Sequence, residues 1–272
     1  MGPAKKDNNL RFIFYLSQNI KWKRYDESTG VPSLSKTSIL KIPVNFPSPN
    51  EQAAIANVLN KADCLVDESK KKIMELRQLK RLLLGKAFSL EWRFRGFNDP
   101  WEQRKLKDLS TDIGTGKSIF SKLSKSNIND YKVLGSTSII GYSDDFDYEG
   151  NFILTARVGA NAGNIYRESG KVKISDNTVF IKAIQSDFLY YVLMNFNLKR
   201  LSFGTGQPLI KSSELKNLKL QVSVSDSERK KLGLLFVTTD NLIVANERQE
   251  KIALIRSVQF SPTSLINFEY FR

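Results

Sequence analysis

From Glu51 to Phe88 the chain has no proline and a single glycine, Gly85, and its apolar positions recur in alternating steps of four and three. Ile55, Leu59, Ala62, Val66, Ser69, Ile73, Leu76, Lys80, Leu83 and Ala87 form the seam of a coiled-coil helix, with Ser69 and Lys80 as polar interruptions. At 1.5 Å per residue such a helix is about 55 Å long. Its start is well marked: Ser48 is a candidate cap, Pro49 takes the first helical position, and Glu51 places a negative charge in the first turn. A shorter helical pattern runs from Leu232 to Leu254, with Leu232, Leu235, Leu242 and Ile243 as its apolar positions. Between the two helices the period changes. Short apolar runs at Tyr131–Leu134, Phe152–Ala156, Val172–Ile174 and Thr178–Ile181, separated by Gly, Asn and Asp turns, predict strands. A long helix lying across a domain of its own would show the same seam. Two such helices flanking one strand-rich segment favour a spacer.

The pattern also repeats. Phe12-Ile13-Phe14-Tyr15 is echoed by Phe188-Leu189-Tyr190-Tyr191, and the same offset pairs Asn19 with Asn195, Lys23-Arg24 with Lys199-Arg200, Thr29-Gly30 with Thr205-Gly206, and Pro32 with Pro208. After one residue of slippage, Glu51 falls on Glu228, Ile55 on Leu232, Leu59 on Phe236 and Asp63 on Asp240. The order is helix, basic stretch, Thr-Gly-x-Pro loop, short apolar strand and second helix. A duplicated unit should build two similar surfaces.

Charge narrows the function. Forty-two Lys and Arg against 28 Asp and Glu give a formal net charge of +14, and 41% of residues are hydrophobic. A globular chain with that surplus favours a polyanionic partner, because phosphate neutralisation releases counterions. No apolar run reaches the roughly 18 residues of a membrane span, and no signal peptide is visible, so a cytoplasmic location without membrane contact is expected. There is no histidine, and Cys64 is the only cysteine. Histidine-based triads, histidine metal sites and intrachain disulfides are thereby excluded, and no metal or catalytic residues are assigned.

The strand-rich segment carries basic, Gly-rich loops: Gly114-Thr115-Gly116-Lys117-Ser118, Arg157-Val158-Gly159-Ala160-Asn161 and Gly204-Thr205-Gly206-Gln207-Pro208. Such loops bring backbone amides and Arg, Lys, Gln and Asn side chains close to phosphates and base edges. The candidate DNA contacts are Lys117, Ser118, Arg157, Asn161, Thr205, Gln207 and Lys211, with Lys199 and Arg200 on phosphates.

Several motifs resemble those of Type I restriction–modification specificity subunits. Arg93-Phe94-Arg95-Gly96-Phe97 through Trp101-Glu102-Gln103-Arg104-Lys105-Leu106 is similar to the start of a target-recognition domain, and Gly204 through Ile210 to the motif near its end. Pro47 through Ile55 resembles the opening of the spacer helix. The resemblance implies an α+β protein whose recognition domain, flanked by long coiled-coil helices, reads half of a bipartite site in double-stranded DNA. It implies no catalysis and no cofactor in this chain. S-adenosylmethionine, ATP and Mg would belong to methyltransferase and restriction partner subunits. The expected division is 1–46 (the closing portion, Leu10 to about Val44, of a first recognition domain), 47–92 (spacer helix), 93–222 (complete recognition domain), 223–256 (second spacer helix) and 257–272 (an atypical tail). A chain so divided is expected to be a half-subunit or fragment, and a homodimer would supply the second reader.

Other classes leave traces here. Asn98-Asp99-Pro100-Trp101 resembles the tetrapeptide of adenine-N6 methyltransferases, but Asp99 replaces its first proline and Trp101 suits a core anchor. Glu68-Ser69-Lys70 fits a minimal nuclease pattern but falls on the coiled-coil helix. Gly114 to Ser118 ends like a phosphate loop without the upstream glycine. A coiled-coil assembly protein with a basic docking surface is the remaining alternative.

Overall fold

The structure, a computed structural model, describes residues 8–28, 30–117, 124–125, 130–201 and 208–259, with side chains described as far as 254. The chain divides into two compact units, Met1–Arg77 with Leu242–Arg272, and Gln78–Asn241.

The first unit contains α1 (Leu10–Asn19), a 3-10 turn at Trp22–Tyr25, α2 (Lys36–Leu40) and most of α3 (Pro49–Phe88). Asn9 caps α1 by accepting from Phe12 N at 3.1 Å. Ser48 and Glu51 form a reciprocal box at the start of α3, the Glu51 carboxylate accepting from Ser48 N at 3.0 Å while Ser48 Oγ accepts from Glu51 N at 3.4 Å. Phe12 and Leu16 pack on Ala56, with Val44 and Ile55 beside them. Gln52 is buried there, and its amide is satisfied by Asn9 N, Asn8 Oδ1 and the Pro47 carbonyl.

The second unit holds the sheet. Its elements are β1 (Trp101–Lys105), α4 (Leu106–Leu109), β2 (Asp112–Thr115), β3 (Tyr131–Leu134), β4 (Ile139–Ser143), β5 (Tyr148–Ala156), β6 (Ile165–Ile174), β7 (Thr178–Lys182), α5 (Ser186–Phe196), a 3-10 turn at Leu198–Leu201, α6 (Ser212–Asn217) and β8 (Lys219–Ser223). The final helix, α7 (Asp226–Gln259), begins here and runs on into the first unit. β1 pairs with β8 in a two-stranded ribbon, and the other six strands lie in the order β2-β7-β5-β6-β3-β4. Among these strands only β3 and β6 pair in parallel.

This sheet curls on itself. β2 and β6 are separated by β7 and β5, yet Lys117, just past β2, bridges Ser175, just past β6. Gly116 allows that approach, since a Cβ there would lie 2.1 Å from the Ile174 carbonyl oxygen. The concave side encloses Leu134, Phe152, Leu154, Val172, Ile174 and Phe180. The other side presents Ile153, Val179 and Ile181 to α5, and this larger core includes Leu84 and Ala87 of α3 and Leu232 and Phe236 of α7. The expected α+β architecture with long helices is therefore present.

The seam read from the sequence is correct along α3, where each of its positions from Ile55 to Ala87 is buried or half-buried. On α7 the seam is different: Leu232, Phe236, Thr239, Ile243 and Asn246 are buried, and Leu242 is half exposed. The four-three register through Leu232 and Phe236 lands on Ile243, which turns Leu242 outward. Thr239 and Asn246 are tolerated because their side chains donate to the Leu235 and Leu242 carbonyls at 2.8 and 2.7 Å.

Candidate nucleic-acid interface

Three segments distant in sequence meet at one edge of the curled sheet. Arg157 N donates to the Asn177 carbonyl at 2.9 Å, and the Arg157 carbonyl accepts from Ile210 N at 2.8 Å. Val158 bridges Leu209, and Gly159 N donates to the Pro208 carbonyl at 3.0 Å. The β5–β6 loop then turns tightly: Asn164 N donates to the Asn161 carbonyl, and Asn164 Nδ2 to Asn161 Oδ1 at 3.1 Å. Gly163, at φ +85°, lies under the Leu198–Leu201 turn, where a Cβ would come within 2.4 Å of Lys199 N. The loop is therefore fixed by its backbone. Asn161, Lys199, Arg200 and Lys211 are exposed around it, and Arg157 is half-buried at its base.

Among the expected contacts, this edge gathers Arg157, Asn161, Lys199, Arg200 and Lys211. Arg157 and Lys211 make no ion pair among the described residues. The Arg200 guanidinium lies 5.7 Å from the Phe196 ring centre. Lys117 joins the edge through its backbone, its N donating to the Ile174 carbonyl at 2.9 Å, but its ammonium is directed at Asp147 Oδ1, 3.1 Å away. Ser118, Thr205 and Gln207 lie outside the described residues. Asn177 also belongs to the edge and was not singled out by sequence. It is exposed in the β6–β7 turn, and an Asp-Asn pair between two strand patterns was its only signal.

The other motifs resolve into structural roles. Arg93, at the head of the recognition-domain motif, donates twice to the Glu228 carboxylate, at 2.9 and 2.8 Å. Trp101 is buried, and its indole N–H donates to the same carboxylate at 3.1 Å. Burial alone would raise the Glu228 carboxyl, but hydrogen bonds from Arg93, Ser223 and Trp101, with the Arg93 charge, hold it below the ordinary glutamate range. Phe97 packs under Lys231, 4.8 Å from the ring centre. Glu68 and Lys70 are exposed on α3, and Gly114 is pressed against the Phe180 ring. No group of His, Cys, Asp and Glu among the described residues is placed to hold a metal. No helix among them is long and apolar enough to cross a membrane.

The family model described as Type I restriction modification DNA specificity domain matches residues 3–78 and 98–255, most of the chain. The chain belongs to that family. It is 24% identical to the Type I restriction enzyme MjaVIII specificity subunit of Methanocaldococcus jannaschii, over 92% of this chain and 69% of that protein. It is 23% identical to the Type I restriction enzyme EcoprrI specificity subunit of Escherichia coli, over 79% of this chain and 57% of that one. In fold it is similar to the crystal structure of the Type I restriction-modification system S subunit from M. genitalium, with a TM-score of 0.73 at 17% identity, covering 93% of this chain and 72% of that one.

Proposed function

We propose that this chain reads DNA sequence as the specificity component of a Type I restriction–modification complex and leaves the chemistry to its partners. The observation that carries the reading is the convergence of Arg157, Asn161, Asn177, Lys199, Arg200 and Lys211 on one fixed edge, in a chain of the DNA-specificity family. Arg157, Asn161 and Asn177 have the donors and acceptors to read base edges, while the lysines and Arg200 suit phosphates. Ser118, Thr205 and Gln207 adjoin the same edge in sequence and belong to the proposed contact set, as does Lys117 where DNA displaces Asp147. Methyltransferase and restriction subunits would hold S-adenosylmethionine, ATP and Mg, and the complex would act in the cytoplasm. Residues 93–222 form the reader, and 47–92 with 223–256 the spacer against which partner subunits dock.

The test is methylome sequencing of cells that express this chain with a methyltransferase subunit. A methylated motif that appears only when both are present, and changes with Arg157→Ala, is expected. Identical methylation with and without this chain refutes the reading.

A further inference from the structure

Four elements of the second unit meet at one polar cluster. Arg167 on β6 donates to Asp187 Oδ1 at 2.7 Å and to the Tyr191 hydroxyl at 3.3 Å. Its guanidinium lies 4.4 Å from the Tyr190 ring centre and 3.9 Å from Asp240 Oδ2. The Tyr191 hydroxyl donates to Asp240 Oδ2 at 2.6 Å, and Lys80 of α3 meets Asp240 Oδ1 at 2.6 Å. One strand of the sheet is thereby tied to α5, α7 and α3 through two aspartates and two tyrosines.

The duplication supplies an internal control. Tyr15 and Asp63 of the first unit occupy the matching positions and form the same bond, hydroxyl to carboxylate at 2.8 Å. That pair pins α1 to α3. Among the described residues no ion pair forms to Asp63, whereas Asp240 receives Lys80 and Arg167. The tyrosine–aspartate bond is thus common to both copies, and the cations belong to the second. The second copy adds two cations, one of them from a strand of the sheet.

Resting on the DNA-reading function proposed above, we propose that Arg167 is a positioning residue for that function, fixing the angle at which the sheet and its contact edge are held on the long helices. Apolar packing of Ile153 and Ile181 on α5 resists separation but is non-directional. The planar, forked guanidinium, held by four partners, supplies direction. Arg167 follows Asn164 by three residues, so the anchor lies about 10 Å along the strand from the contact loop. Rocking by about 10° there moves the edge by roughly 2 Å, more than the ~0.5 Å that directional contacts tolerate.

The test uses the full chain and a randomised duplex DNA pool, comparing Arg167→Gln with Tyr15→Phe. The wild type selects a motif, and the readout is its affinity for that duplex divided by its affinity for a scrambled duplex of equal length. Arg167→Gln is expected to lower this ratio tenfold or more while keeping the scrambled-duplex affinity and its salt dependence. Tyr15→Phe is expected to lower the melting temperature and leave the ratio unchanged. An unchanged ratio in folded Arg167→Gln, or an equal loss in Tyr15→Phe, overturns the proposal. Asp187→Asn removes only an exposed partner of Arg167 and carries the same test, with a several-fold loss expected, if Arg167→Gln does not fold. A wild type that selects no motif refutes DNA reading itself, and this inference with it.

Discussion

Glu51 and Glu228 hold matching places in the repeat, yet their roles differ. Glu51 is exposed and closes a capping box, whereas Glu228 is 1% exposed and accepts from Arg93 and Trp101. Sequence identified the match but not the difference, because Arg93 lies 135 residues away and its pairing depends on the completed fold. Removing one partner of a buried ion pair leaves the other uncompensated, so Glu228→Gln should cost about 3 kcal/mol in urea unfolding. The carboxyl is held below its ordinary range in the folded state. Its stabilisation is therefore complete above the unfolded value of about 4.3 and is lost as pH falls below that through the folded value. The stability gap between wild type and Glu228→Gln should be constant from neutral pH down to about 5 and narrow below about 4. A gap that widens on acidification would show that the bound carboxylate is not the stabilising form. In the first unit, burial and the Asp63 carboxylate push the Tyr15 phenol up to about 12, so that hydroxyl keeps its proton across the same range.

At the scale of elements, the repeat was the most legible feature. α1 and α5, the two 3-10 turns, α2 and α6, and the starts of α3 and α7 all recur in the same order, and the one-residue slip falls between the short helix and the long one. The short helices α2 and α6 were not read from sequence, and among the described residues the short strand expected in both copies forms only in the second, as β8. Periodicity also located the α3 seam and the strand runs. It misplaced Leu242 because three neighbouring apolar residues, Leu242, Ile243 and Val244, leave the register to be decided by Phe236 and the buried Thr239 and Asn246. The curl of the sheet was not legible, since closure is set by a glycine whose reason lies on another strand. Two glycines test this. Gly116→Ala would push a methyl into the Ile174 and Ser175 carbonyls, so it should cost about 1–3 kcal/mol and weaken DNA binding. Gly85, exposed inside α3, has nothing within 4 Å of the position a methyl would take, so Gly85→Ala should stabilise by about 0.5–1 kcal/mol. Equal effects from both, by chemical denaturation, would contradict the closure described for Gly116.

At the scale of the whole molecule, a charge of +14 says that polyanions will bind, not how they are discriminated. On the proposed contact edge these two properties would fall to different residues. Lys211 is exposed, and its backbone carbonyl accepts from the first turn of α6, which leaves the ammonium to reach outward to phosphate. Arg157 is fixed through both its N–H and its carbonyl between the β6–β7 turn and Ile210, so its side chain starts from a backbone held in place. Most of these residues were legible as a class, basic and amide side chains in Gly-rich loops. Their meeting was not, because it is made by backbone bonds between segments some 20 to 50 residues apart. If Lys117, Lys199, Arg200 and Lys211 all engage phosphate, the affinity for duplex DNA should fall with salt on a log–log slope of magnitude about 4. Lys211→Ala should reduce that slope by about 1 and weaken every duplex equally. Arg157→Ala should alter the preferred sequence, at a cost of about 1–3 kcal/mol on the selected duplex, with a smaller effect on scrambled DNA. Titrations of both variants at several salt concentrations, on selected and scrambled duplexes, distinguish the roles. If Lys211→Ala alone shifts the preferred sequence while Arg157→Ala weakens all duplexes alike, the assignment is reversed, and reading must reside in Lys211 rather than in the backbone-fixed arginine.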